Sequence, residues 1–208
     1  YFPEKKTVVT GNPIRKEIIL SGPSRERGDR FTLLIFGGSA GAHRINMAVM
    51  EALPSLQDLR SSLRFIHQTG KEDWLPVSKG YEAKGFEAEV VPFIEEMARC
   101  YRRADLVICR SGASTVAELA VCAKAAILIP YPYAAHQHQL INAQKLVDRG
   151  AAQMVRDDAL EGASLAERIR YLYHHPEERE RMEEAIHHIA KPRAAEEIVD
   201  HCYELMRR

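Results

Sequence analysis

The run Phe31-Thr32-Leu33-Leu34-Ile35-Phe36-Gly37-Gly38-Ser39-Ala40-Gly41-Ala42-His43 constrains this chain more than any other stretch. Its first six residues are mostly apolar without alternation, the pattern of a strand covered on both faces. Glycines follow, where a backbone can turn tightly and approach a ligand closely. A helical pattern then runs over residues 42–53. A helix that starts behind a bare loop presents free N–H groups and a partial positive charge. Such a junction suits phosphate.

The same alternation continues along the chain. Candidate strands lie at residues 7–10, 31–36, 64–68, 88–93, 105–110, 125–130 and 151–155. Helical patterns lie at 42–53, 71–80, 95–103, 114–122, 137–149, 165–174, 176–189 and 192–206. Alternating strands and helices predict βαβ units, hence an α/β fold with a Rossmann-like parallel sheet and helices on both faces. Ligands of such sheets bind beyond the carboxyl ends of the strands. The loops able to carry chemistry are therefore 37–41, 92–95, 111–114 and 130–138. Residues 21–30 read as an exposed loop, and the charge run 177–184 as a solvated helix face.

Composition narrows the function classes. With 208 residues, 46% hydrophobic and 28% charged, the chain has the make-up of an ordinary globular domain. A formal net charge of +0 supplies no field that would gather nucleic acid. No apolar run approaches the roughly 20 residues of a membrane-spanning helix, and no signal-peptide pattern opens the chain. Cys100, Cys109, Cys122 and Cys202 lack C-x-x-C spacing and read as buried, reduced thiols of a cytoplasmic protein. The chain opens on Tyr1-Phe2-Pro3 rather than Met, from which a piece of a longer protein is expected.

Each loop admits more than one reading. Residues 37–41 fit G-x-S-x-G, the nucleophile elbow of serine hydrolases. They also fit a phosphate cradle in which Ser39 donates a hydrogen bond, or a turn with no ligand. The G-x-G-x-x-G spacing of a dinucleotide loop is absent. Residues 110–118 form a second strand–loop–helix junction, with Ser114 the expected N-cap. Glu118, one turn into that helix, could accept two hydrogen bonds from a ribose diol or simply face solvent. After a third strand, His136, His138 and Gln139 suit sugar hydroxyls, with Asn142 and Lys145 on the next helix. Two histidines without a carboxylate or thiolate partner are a weak metal signal. Arg15 offers the fork geometry that fits phosphate. The backbone at Ile94 could read the edge of a flat base.

Taken in order, GNPIR, FGGSAGAHRIN, HQTG, PFIEEM, ADLVICRSGASTVAELA and HQHQLINA resemble the carboxyl-terminal half of the MurG family over residues 9–155. These are bacterial N-acetylglucosaminyltransferases that convert lipid I to lipid II. The resemblance implies one half of a GT-B fold. Residues 1–208 would then be the domain that binds UDP-N-acetylglucosamine. Residues 1–11 would be interdomain linker and first strand, and 192–208 a tail helix crossing to an amino-terminal domain. Arg15 would contact the diphosphate, with Gly38 and Ser39 beside it. The Ile94 backbone would read uracil. Ala113, Ser114, Thr115, Val116, Ala117 and Glu118 would line the donor, Thr115 near phosphate and sugar, Glu118 on the ribose. Gln139, next to His138, would contact the sugar. Ala40 departs from the glutamine of many members, and His138 stands where others vary.

The implied reaction is inverting glycosyl transfer, with UDP as leaving group and no metal or other cofactor. Lipid I, the membrane contact at the cytoplasmic face of the inner membrane and the catalytic base would belong to the amino-terminal domain. This chain alone is expected to bind donor weakly and to lack transferase activity. The alternatives are another GT-B enzyme such as a UDP-sugar 2-epimerase, a non-catalytic nucleotide-binding module, and a serine hydrolase using Ser39 with His136 or His138.

Overall fold

The computed structural model describes residues 7–26 and 28–207. Its centre is β1 (Phe31–Phe36), where Leu33 and Ile35 face one side of the sheet and Leu34 and Phe36 the other. All four are almost wholly buried, as an unbroken apolar run requires. β1 pairs in parallel with β2 (Leu63–Gln68) on one side and β4 (Leu106–Cys109) on the other. β3 (Glu87–Val91) extends the sheet beyond β2, and β5 (Ala126–Leu128) and β6 (Gln153–Met154) extend it beyond β4. The order is β3-β2-β1-β4-β5-β6, all parallel. The predicted α/β class is the observed one.

Helices cover both faces. α2 (His43–Ala52) buries Ile45, Ala48, Val49 and Ala52, the i, i+3, i+4, i+7 stripe of a helix lying on a sheet. α3 (Trp74–Lys84) and α7 (Gly162–His174) pack on the same face through Val77, Tyr81, Leu165, Ile169 and Leu172. The other face carries α4 (Met97–Arg103), α5 (Ala113–Cys122) and α6 (His138–Val147), and the short α1 (Lys16–Ser21) through Ile18. α8 (Pro176–His187) divides its buried residues, Met182 to the first core and Ile186 to the second. α9 (Ala194–Met206) buries Ala194 but leaves Tyr203, Leu205 and Met206 exposed. Among the described residues no helix is long and apolar enough to cross a membrane.

Several expectations are corrected. Residues 7–10 form no strand, and residues 1–6 lie outside the described residues. Two apolar valines there, Val8 and Val9, are exposed and meet no sheet edge. α1 was not foreseen, because six residues carry too little periodicity to show. The helix expected at 71–80 runs from Trp74 to Lys84 and stops at Gly85, whose φ of 70° ends it in the left-handed region. Cys100, Cys109 and Cys122 are buried and reduced as expected, but Cys202 is exposed on α9.

One polar cluster lies inside the first core. His67 is fully buried on β2 and stands between Tyr81 of α3 and Asn46 of α2. Burial lowers its pKa from 6.5 to about 3, against a smaller opposing pull from Asp73. The unfolded chain therefore binds a proton at pH 5 that the folded chain refuses. Stability from this group is full above the unfolded value and falls as pH drops below it. The loss between pH 7.5 and 5 is expected to be about 2 kcal/mol, seen as a falling denaturation midpoint and absent from His67→Gln. In the central strand, Ile35→Ala is expected to cost about 2–5 kcal/mol, with the denaturant slope unchanged.

Candidate functional site

Strand order decides where a ligand can sit. β1 leads outward through β2 to β3, whereas β4 leads the opposite way through β5 to β6. The loops leaving β1 and β4 therefore diverge and open a crevice at their carboxyl ends. Phe36 pairs with Cys109, so the glycine loop after β1 and the 110–112 loop after β4 leave the sheet side by side.

Both loops end in helix starts with unused donors. Among the described residues the N–H groups of Gly38, Ser39 and Ala40 have no hydrogen-bond partner, and Gly41 N–H bonds back to Gly38 O at 2.9 Å. The first N–H of α5 that finds an acceptor is that of Val116, on Gly112 O at 2.9 Å, and those of Ala113, Ser114 and Thr115 have no partner among the described residues. Gly112 is the N-cap, and no side chain caps the helix. This corrects the expectation for Ser114, which lies inside the first turn. Its hydroxyl instead accepts from Asn12 Nδ2 at 3.2 Å. The consequence is chemical: the N-terminal end of α5, where a helix dipole favours an anion, is not occupied by its own cap.

Glu118 sits half-buried one turn further on. Tyr101 of α4 donates to its Oε2 at 3.1 Å, and Arg15 Nη2 approaches its Oε1 at 3.4 Å. Burial raises the Glu118 pKa, and Arg15 and the Tyr101 hydroxyl oppose that rise. Tyr101 is itself fully buried, and burial lifts its pKa so far that it remains a donor. Neither Tyr101 nor Asn12 was singled out from the sequence. Tyr101 carried no local signal, because its partner lies on another helix. Arg15 is half-exposed and also lies 3.7 Å from Glu17, so it is placed beside Glu118 rather than aimed at the glycine loop.

The residues expected to read the base and to meet the sugar sit on separate loops. The Ile94 side chain is buried in the second core, and among the described residues its backbone N–H and C=O have no partner. Gln139 is more engaged than expected. Its Oε1 accepts from Ser111 N at 3.2 Å and Tyr131 N at 3.0 Å, and its carbonyl takes the Ser111 hydroxyl at 2.8 Å. Asn142 Nδ2 closes the same cluster on Ser111 O at 3.1 Å. Among the described residues the Gln139 NH2 group has no partner. His138 Nδ1 donates to Ala135 O at 2.7 Å, leaving Nε2 outward. His136 and Gln137 before it adopt left-handed backbone, with φ of 49° and 54°. A cleft of about 450 Å³ opens between these loops, walled by Ala40, Gly41, Arg44, Tyr131, Tyr133 and Gln139.

The arrangement does not build a hydrolase. Among the described residues Ser39 makes no hydrogen bond, and neither His136 nor His138 pairs with it, so the nucleophile–base contact is missing. No three His, Cys, Asp or Glu side chains among the described residues gather as metal ligands.

Comparisons with known proteins place this geometry. The chain is 52% identical over 207 residues to the UDP-N-acetylglucosamine–N-acetylmuramyl-(pentapeptide) pyrophosphoryl-undecaprenol N-acetylglucosamine transferase of Myxococcus xanthus. That match covers 99% of this chain and 54% of the relative, so the chain spans about half the length of the curated relatives it matches. The crystal structure of Acinetobacter baumannii MurG superposes with a TM-score of 0.79 at 33% identity, over 96% of this chain and 57% of that one. A UDP-GlcNAc 2-epimerase from Neisseria meningitidis, bound to UDP-GlcNAc, shares the fold alone, with a TM-score of 0.58 at 14% identity over 86% of this chain and 45% of that one. The family model described as the glycosyltransferase family 28 C-terminal domain matches residues 32–198, and the chain belongs to that family.

Proposed function

We propose that this domain binds UDP-N-acetylglucosamine and is the donor half of an inverting transferase that glycosylates lipid I. The observation that carries the reading is two sets of N–H groups without a partner among the described residues, at residues 38–40 and 113–115, on the loops that leave the paired strands β1 and β4. They supply an anion site without a metal, and their dipoles favour the charge that develops on departing UDP. Gly38, Ser39 and Thr115 would face the diphosphate. Ala113, Ser114, Val116 and Ala117 would form the helix end beneath it. Arg15, now beside Glu118, would exchange that carboxylate for a phosphate oxygen. Glu118 would accept from the ribose hydroxyls, and the unused Ile94 backbone groups would meet the uracil edge. The Gln139 NH2 group and His138 Nε2 would reach the sugar.

The relatives named as transferases stand near 50% identity, and the epimerase shares only the fold, so transfer is the reading supported. In that reaction the acceptor hydroxyl attacks the anomeric carbon. The bond to the β-phosphate oxygen breaks, and its electron pair leaves with UDP. The acceptor site, the base that takes the hydroxyl proton and any membrane contact would belong to the part of the relatives that this chain does not match.

Calorimetric titration tests the reading. Saturable binding of UDP and UDP-N-acetylglucosamine is expected, with none of NAD. Glu118→Ala should weaken both about tenfold to a hundredfold, the loss of hydrogen bonds to a charged acceptor. Absence of uridine-nucleotide binding by the folded wild type would refute the proposal. A second titration series lowers the pH from 7.5. The diphosphate diester of UDP-N-acetylglucosamine keeps its charge, whereas Glu118 takes up a proton above the usual carboxylate range and loses acceptor capacity. Affinity should fall through that range, and the fall should be absent in Glu118→Gln.

A further inference from the structure

The segment His67-Gln68-Thr69-Gly70, the end of β2 and the turn after it, has no role in the reading above, yet it joins the two sides of the site. Toward the base-reading loop, Thr69 N–H donates to Val91 O at 3.0 Å and Gly70 N–H to Pro92 O at 3.2 Å. Gln68 spans both sides. Its Nε2 donates to Pro92 O at 3.2 Å, and its Oε1 accepts from Gly37 N at 3.4 Å. Toward the glycine loop the contact is backbone on backbone. A Cβ on Gly41 would lie 2.0 Å from Thr69 O, and one on Gly70 would lie 2.1 Å from Ala40 O. Both glycines also hold φ near +80°, which a side chain would strain.

One side chain clamps this turn. Asn46, 1% exposed on α2, donates through Nδ2 to Thr69 O at 2.9 Å and to Asp73 Oδ2 at 2.7 Å. Two oxygen acceptors on that side fix the amide orientation, so Oδ1 accepts the Nε2–H of His67 at 3.0 Å. His67 Nδ1 then accepts from the Tyr81 hydroxyl at 3.0 Å. Asp73 also meets His43, the first residue of α2, at 2.9 Å. Every polar atom of Asn46 is used. A satisfied buried network of this kind admits one arrangement and penalises departures from it.

We propose that Asn46 is a positioning residue for the diphosphate of the nucleotide sugar. It presses the Thr69–Gly70 turn against Ala40 and Gly41 and so keeps the N–H groups of Gly38, Ser39 and Ala40 aimed into the crevice. The inference rests on the donor-binding reading above. Its effect is specific to the diphosphate. The uracil group, Ile94, lies in the loop before α4, the ribose group, Glu118, lies on α5, and the Thr69–Val91 bond is made by backbone without the Asn46 side chain.

The test is an NMR titration of wild type, Asn46→Ala and Asp73→Ala with UDP and, separately, with uridine. Asn46→Ala should weaken UDP about tenfold, the effect of one lost buried hydrogen bond on aim, and leave uridine within about twofold. Asp73→Ala removes one of the two acceptors of Asn46 Nδ2 and should shift the UDP-to-uridine ratio the same way, by about threefold. Its sign is diagnostic, because removing a carboxylate near a phosphate would by charge alone strengthen UDP binding. An unchanged ratio in folded variants, or equal losses for both ligands, overturns the inference. If Asn46→Ala does not fold, the Asp73→Ala ratio decides by the same criterion. Wild type that binds UDP no better than uridine overturns the donor reading itself and this inference with it.

Discussion

The pairing of β1 with β4 is the constraint on which the rest depends. These strands are neighbours in space, but about seventy residues separate them in sequence, and each leads the chain away from the other. Parallel strands need long crossovers, and the helices in those crossovers cover the sheet on both faces. The same divergence leaves the carboxyl ends of β1 and β4 uncovered. A groove is thus a topological consequence of the strand order, and the chemistry within it depends on what the two loops carry.

Those loops offer backbone donors, and Arg110, the charged residue in them, is paired with Asp157 at 2.6 Å. A chain with no net charge can still hold an anion, because helix ends supply local fields that a global charge count misses. α5 begins without a side-chain cap, and the donors that a cap would satisfy stay available. Glu118 stands in the same region with opposite polarity. Held by Tyr101 and faced by Arg15, it is placed for hydroxyl donors rather than for phosphate. In the proposed reading the donor-rich loops would meet the diphosphate and the carboxylate the ribose diol of one ligand.

Much of the fold was legible in the sequence because its signals are local. The apolar run at 31–36 and the stripe Ile45, Ala48, Val49, Ala52 each report burial through their own spacing. The errors share one cause. Residues 7–10 are apolar enough for a strand, but a strand needs a sheet edge and none stands next to them. Ser114 is a good capping residue by type, but helix geometry begins one residue earlier and its hydroxyl faces Asn12. The structural part of Gln139 was not legible either: its oxygen accepts from Ser111 and Tyr131 and so ties two loops together. Ser39 resembles a nucleophile until one asks where a base would stand.

The sequence by itself determined the fold class, the order of strands and main helices from β1 onward, and the loops on which a site could be built. It did so because burial periodicity and glycine placement act over a few residues. Tertiary structure alone decided which of those loops meet. Phe36 reaches Cys109, Tyr101 reaches Glu118, and Asn46 reaches both Thr69 and His67 through contacts between residues far apart in the chain. Such contacts form when two helices are packed on one sheet and a buried polar group must find its partner there. No window of neighbouring residues contains that information.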